Sequence, residues 1–333
     1  MDASGRRYRL SARVLLQWLL LVQAAAVGAL FYTALRYLGI GSAWLALALS
    51  LGAVLLVRLL ITANNFVLSA RFRSPLPDAF RLGKLAALRL FGEEFMASLL
   101  QSSWFMARAR PCQHIYPDAP APPVLLLHGY GCNSGYWAHL TALLDAARIS
   151  YATLDLEPMI AGIDEYVPLV ERAVHALCQG AGAQQIIIVG HSMGGLVARA
   201  YLRTHGAAQV ARVITLGTPH HGTRLASFGV GRNAAQMRRA ASGAVEPESA
   251  WLRSLAGAED AARRALITSI YTHHDNIVSP QSSSFLPGAR NIALGGVGHV
   301  ALGRNARVLA CLLSEICNAA NSSAERFPHP PRA

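Results

Sequence analysis

Lysine is nearly missing from this chain: among 333 residues it occurs once, at Lys84, and arginine carries almost all of a formal net charge of +12. Those arginines are scattered, with no basic run interleaved with aromatic residues. The charge therefore does not read as a nucleic-acid surface, and no nucleic-acid partner is expected. Charged residues of both signs are scarce too, at 14% against 53% hydrophobic. That excludes a disordered chain, whose composition runs the other way, and the apolar excess points to a part that lives in lipid. Cysteine is sparse, and its count of five is odd and irregularly spaced. This argues against a disulfide framework or a zinc site. Cys311 and Cys317 fall in one expected helix and face different ways. With Cys112, Cys132 and Cys178 they read as small buried hydrophobes, a single disulfide elsewhere being left open. There is no internal repeat and no low-complexity tract.

What is there begins with two apolar runs. Residues 14–35 are broken only by Gln17, Gln23 and Thr33, and residues 38–57 follow after Arg36 and Tyr37. At about 1.5 Å per residue the first run spans roughly 33 Å, enough for a bilayer core. With so short a turn the two make a transmembrane hairpin within residues 1–62. Arg6, Arg7, Arg9 and Arg13 precede the first span and Arg36 alone lies in the turn. Arg58, Arg71, Arg73, Arg81 and Lys84 follow the second. The positive-inside rule then puts both chain ends in the cytoplasm, as in a multi-pass inner-membrane protein whose remaining domain is cytoplasmic, with membrane lipids as partners. A rival reading takes residues 14–21 as a signal-peptide core, cleaved near Ala24, Ala25 and Ala26; it leaves the second run unexplained.

Residues 63–122 read as a connector. Leu85, Leu88, Phe91, Phe95 and Leu99 recur at helical spacing, with Arg81, Lys84, Arg89 and Glu93 elsewhere on the wheel. Such a helix lies on the lipid headgroups or packs on the following domain. Pro111, Pro117, Pro120, Pro122 and Pro123 mark a linker. From 123 to 320 the texture changes to strands alternating with helices. The candidate strands are 124–127, 151–156, 185–189, 213–216, 265–271 and 291–294, several of them unbroken apolar runs as in parallel strands buried on both faces. Helical segments fall at 136–147, 164–178, 193–204 and 305–319, the second ended by Gly180. This alternation predicts a mostly parallel α/β sheet with its chemistry at the carboxyl ends of the strands. Residues 321–333 read as a disordered tail.

Within that domain, residues 185–195 read QIIIVGHSMGG. Gly190, Ser192 and Gly194 form G-x-S-x-G directly after a strand and before an apolar helix. The pattern alone is weak, but the context sharpens it. A serine on so sharp a turn needs small residues two positions away on each side, and the turn lifts its hydroxyl above the sheet at a helix N-terminus. The first strand ends VLLLHGYG, residues 124–131. Acyl transfer requires backbone N–H groups aimed at an oxyanion, and the expected donors are Met193, after the nucleophile, and Tyr130, after His128 and Gly129.

Together LLLHGYG, GHSMGG, ITLGTPHHGT and HDNIV followed by GGVGH resemble the α/β-hydrolase superfamily, and within it the bacterial triacylglycerol lipases and related carboxylesterases. The resemblance covers about residues 122–318. It implies an acyl-lipid ester as the substrate class and no cofactor. It also brings the chain order serine, acid, histidine. Of twelve histidines, that order favours His299 as the base, with His220 and His221 as lesser alternatives. His191 is expected to point away. The acid falls to Asp275, because no Asp or Glu occurs from Asn276 through Ser314; Asp155 is the second choice. Some secreted relatives build a calcium site from aspartates close to the catalytic histidine, and the same lack of acids predicts no metal here. Residues 222–264 interrupt the rhythm and read as a cap, either a lid or a packed excursion. Leu225, Phe228, Val230, Met237, Trp251 and Leu252 are its candidate acyl-binding lining, and His128, Gly129 and His220 are further substrate-binding candidates. The resulting expectation is a membrane-anchored ester hydrolase. An acyltransferase or thioesterase with the same three residues, and a non-catalytic membrane scaffold, stay open, as do oligomeric state and the physiological substrate.

Overall fold

A computed structural model describes residues 11–240 and 247–326, with 320–326 as backbone. Arg6, Arg7, Arg9, part of the cap and the end of the expected tail lie outside the described residues. Two long helices open the chain, α1 (Ala12–Arg36) and α2 (Ala43–Arg71), packed as an antiparallel pair. Both are long and apolar enough to cross a membrane. Their outer faces stay bare, with Trp18, Val22, Trp44 and Val57 all more than half exposed. Arg58 does not flank the hairpin as a free charge. It bonds to Gln23 Oε1 at 2.7 Å and to Ser103 Oγ at 2.9 Å, tying both helices to the connector.

The connector's helix, α3 (Lys84–Leu100), turns a face inward that the leucine spacing did not announce. Leu90, Glu94 and Ala97 are buried, while Leu85 and Leu88 face outward. Its second half thus packs on the domain and its first half leaves an apolar surface free.

The domain is built on a seven-stranded sheet in the order β1-β3-β2-β4-β5-β6-β7. The strands are β1 (Gln113–His114), β2 (Val124–Leu127), β3 (Tyr151–Leu154), β4 (Ile186–His191), β5 (Val210–Leu216), β6 (Ile267–Thr272) and β7 (Arg290–Leu294). All neighbours are parallel except β1, which pairs antiparallel with β3. Strand β1, too short to show an alternation, is the one that the sequence pattern lacks. Side chains on alternate positions feed two cores. Leu125, Leu127, Ile186 and Ile188 meet the helices at Val167–Ala181 and Met193–His205. Val124, Leu126, Ile187 and Val189 meet those at Ala138–Ala146 and Ala306–Arg326. The first of these four helices ends one residue past the expected glycine, with Gly182 in a left-handed conformation (φ 60°) capping it, and not Gly180. The last continues to Arg326, into the segment expected to be a tail. All five cysteines are free thiols, and only Cys178 is fully buried; Cys112 and Cys317 are exposed.

Candidate active site

Strand β4 runs straight into the helix beginning at Met193, and Ser192 makes the corner with φ 53° and ψ −121°. Non-glycine residues rarely adopt a positive φ, and such strain is characteristic of functional turns. The flanking glycines explain how the chain tolerates it. A Cβ at Gly190 would lie 2.5 Å from the Gly195 nitrogen, and one at Gly194 would collide with the Leu127 carbonyl. Ser192 N donates to Leu216 O at 2.8 Å, pinning the corner to β5. Gly129, on the loop after β2, is squeezed against the same corner, since a Cβ there would come within 2.9 Å of Ser192 Cβ. The backbone N–H groups of Tyr130 and Met193 donate to no acceptor among the described residues.

Asp275 follows β6 and His299 follows β7, and the two loops meet. His299 Nδ1 donates to Asp275 Oδ2 at 2.7 Å, with both side chains buried. The other carboxylate oxygen accepts from Ile277 N at 2.8 Å and Val278 N at 2.6 Å. That geometry leaves His299 Nε2 unprotonated in the neutral imidazole. Burial works against a charged His299, but the charge and hydrogen bond of Asp275, helped by the Glu94 carboxylate, outweigh it and hold the imidazole above the ordinary histidine value. The His191 ring lies 4.6 Å from the His299 ring, centre to centre, and its Nε2 approaches His299 O at 3.3 Å. Ser192 Oγ itself has no hydrogen bond among the described residues; it faces a cavity.

Glu94 is the residue that the sequence reading missed. It is fully buried, and its two oxygens accept from Val300 N at 3.0 Å and Ala301 N at 2.9 Å, the first N–H groups after His299. Burial pushes its carboxyl above the usual range against the pull of those two donors. Ser69, at the end of α2, braces the Asp275 loop in a similar way. Its hydroxyl donates to Asp275 O at 2.9 Å, and Gln281 Nε2 donates to that same carbonyl at 2.8 Å.

A cavity of about 550 Å³ opens over Ser192. The cap contributes Leu225, Ala226, Phe228 and Met237, and the acid loop Ile277 and Val278. The opposite wall comes from Asn64, Asn65 and Leu68 of α2, which nothing in the sequence assigned to the site. Tyr130 lines it as well, and its phenol bridges to the cap through Val230 O at 2.8 Å and Val230 N at 3.0 Å.

Several expected binding residues lie elsewhere. His128 is buried beneath the β2 loop. Its Nε2 accepts from Leu156 N at 2.8 Å and its Nδ1 donates to Gly129 O at 2.9 Å, so it props the loop and is not part of the cavity wall. His220 is buried against Thr215 and the Arg199–Glu259 ion pair, with both ring nitrogens engaged there; burial first, and Arg199 next, keep it well below the ordinary histidine value. His221 pairs with Glu248 at 2.8 Å. Trp251 sits outside the cavity, donating to Asp164 at 2.8 Å, and Leu252 belongs to the core. Asp155 is occupied by Ser134 N at 2.6 Å. Among the described residues no three His, Cys, Asp or Glu side chains are placed to hold a metal.

Residues 122–256 match the family described as alpha/beta hydrolase fold. A triacylglycerol lipase of Pseudarthrobacter phenanthrenivorans is 32% identical over 120 residues, covering 32% of this chain and 35% of that one. A triacylglycerol lipase of Burkholderia plantarii is also 32% identical over 120 residues, 32% of each chain. The match thus spans about a third of the length of these relatives. Among solved structures, the mature form of a Bacillus licheniformis lipase superposes with a TM-score of 0.53 at 18% identity, covering 62% of this chain and 97% of that one. Lipase B of Aspergillus fumigatus gives 0.52 at 19% identity, covering 64% and 56%. At such identities the structural likeness speaks to the fold.

Proposed function

We propose that this chain, whose domain from residue 122 onward has the α/β-hydrolase fold, is a membrane-anchored serine hydrolase of acyl esters, lipid-like in its substrates. The observation that carries the reading is the buried His299–Asp275 pair at 2.7 Å on the loops after β6 and β7, together with a strained serine corner that opens onto a cavity with a largely apolar lining. The likeness to lipases agrees with it.

In the mechanism that follows, Ser192 Oγ attacks the acyl carbonyl while its proton passes to His299 Nε2. The carbonyl oxygen becomes an oxyanion facing the free N–H groups of Tyr130 and Met193. As the intermediate collapses, the C–O bond to the alcohol breaks and the alcohol leaves with the proton from His299. The acyl group is now an ester of Ser192. A water then gives a proton to His299 and its oxygen to the acyl carbon; the Ser192 ester bond breaks, the acid departs, and the serine regains its proton. Asp275 keeps the tautomer that leaves Nε2 free and stabilises the transient imidazolium. No step calls for a cofactor.

The anchor is α1 with α2, whose outer faces present a continuous apolar surface to the surroundings. The flanking arginines support a cytoplasmic placement of the domain. Labelling the purified full chain with a fluorophosphonate tests the core of the reading. Wild type should label and Ser192→Ala should not, while both remain folded; equal labelling of the two would end the proposal.

A further inference from the structure

Helix α2 belongs to two parts of the molecule at once. Its first half is the bare apolar half of the hairpin, and its second half is a wall of the cavity that holds Ser192. Along one face the apolar surface runs from one part to the other with a single polar step. Val57 and Ile61 are 56% and 57% exposed, and they share a helix face with Asn64 and Leu68, at successive spacings of four, three and four residues. From Ile61 to Leu68 is only about 10 Å of helix. Asn64 is the polar step on this track, and it stands with Asn65 in the cavity lining. Arg58, the first charge on α2, turns away toward Gln23 and Ser103 and leaves the track clear. On the cap side, Phe228 and Val230 are 69% and 66% exposed, so apolar surface borders the cavity there too. A site fed from water has no use for so much bare apolar surface continuous with a helix built for lipid.

We propose that α2 is the wall along which substrate reaches Ser192: an acyl ester lipid of the leaflet around the hairpin slides its chain up the face made by Val57, Ile61 and Leu68. Asn64 and Asn65 meet the polar region at its ester. The substrate is thus drawn from the bilayer beside the enzyme's own anchor, and α2 sets the preference for membrane-borne over water-borne esters. This rests on the hydrolase reading above.

Two esters with one leaving group separate the routes. Full-length protein is reconstituted in phosphatidylcholine vesicles and given 4-nitrophenyl palmitate dissolved in the same vesicles, or 4-nitrophenyl butyrate in water. The readout is the ratio of the two kcat/KM values. Ile61→Asn and Val57→Asn should each lower the palmitate-to-butyrate ratio by roughly tenfold or more. Leu56→Asn, equally exposed but turned about 100° around the helix, should leave the ratio within about twofold. A ratio that stays constant in all three variants, or that falls equally in all three, overturns the proposal. If wild type cleaves neither ester, it is the hydrolase reading that fails. Cleavage of butyrate with a ratio indifferent to Ile61 and Val57 removes the membrane route alone.

Discussion

Ser192 is held by the fold around it, whereas His299 and Asp275, besides their local bonds, are tied to side chains from the far end of the chain. The serine corner depends on Gly190 and Gly194 beside it, on Gly129 pressed against it, and on a backbone bond to β5. The loops carrying the proposed base and acid are tied down by Glu94 and Ser69, each 206 positions away in sequence from the group it holds. One half of the site is therefore intrinsic to the hydrolase fold. The other is braced by the N-terminal segment outside the matched family region, so in the proposed hydrolase the helix pair and connector support the site as well as the anchor.

The sharpest way to break this comparison is to remove the base itself. His299→Gln should lower kcat by about 10⁴-fold or more, as losing a member of such a triad does. His220→Gln, in an equally buried imidazole, should leave kcat nearly unchanged and show its cost only in thermal unfolding. Steady-state kinetics on a soluble ester distinguishes them, and a comparable loss in both would mean that the base has been misassigned.

On the serine side the expected damage is to folding. Gly194→Ala drives a methyl into the Leu127 carbonyl, with backbone on both sides and nowhere to yield. Overpacking of this kind costs about 1–3 kcal/mol where side chains can give way, and this site belongs at or above the upper end. Urea unfolding of the purified protein would measure it; a stable, active Gly194→Ala would show that the corner is less constrained than its geometry implies.

These two regions also differ in how far they could be read beforehand. The corner announces itself because its requirements are local: a strand, small residues at two fixed positions, then a helix. Asp275 came within reach only because the family resemblance supplies the order serine, acid, histidine, and no acid occurs in the long stretch after it. Glu94 did not, because a lone carboxylate beside Glu93 on an amphipathic helix reads as a solvated position, and only the packing of α3 against the loop after His299 turns it inward. Asn64, Asn65 and Leu68 were hidden for the same reason: their helix reads as an anchor, and its periodicity says nothing about what its end touches. In the cap, Leu225, Phe228 and Met237 line the cavity as their hydrophobicity implied, but Trp251 does not, because its indole N–H finds Asp164 on the outer surface.

A variant of Glu94 sharpens the contrast at intermediate size. Glu94→Ala strands two buried N–H groups next to the base, at a cost of about 1–3 kcal/mol for each unsatisfied donor. It should reduce kcat by roughly ten- to a hundredfold through a displaced imidazole. Glu94→Gln keeps one acceptor and should recover much of that, but it lacks the negative charge that favours the His299 imidazolium. Since the base must be neutral, activity rises as pH climbs through the His299 pKa, which lies above the ordinary histidine value in the intact protein. Removing the charge lowers that pKa, so the acid limb of kcat/KM against pH should move to lower pH in Glu94→Gln. A limb that does not move would assign Glu94 a purely mechanical role.

The smallest effect is expected at Ser69, and the reason lies in redundancy. Its hydroxyl and the Gln281 amide both donate to the Asp275 carbonyl, at 2.9 Å and 2.8 Å, and Gln281 Nε2 also donates to Ser69 Oγ at 3.1 Å. Ser69→Ala removes one of two donors to that carbonyl and leaves the acceptor satisfied, so the loss should be about 1 kcal/mol of stability and only a few-fold in kcat. Combining it with Gln281→Ala strips the carbonyl of both donors, and the double variant should lose more than the sum of the singles, as residues in one hydrogen-bond network do. Strict additivity in that cycle, read from unfolding and kcat together, would mean that α2 touches the acid loop without bracing it. In that case the link between anchor and chemistry would run through Glu94 alone.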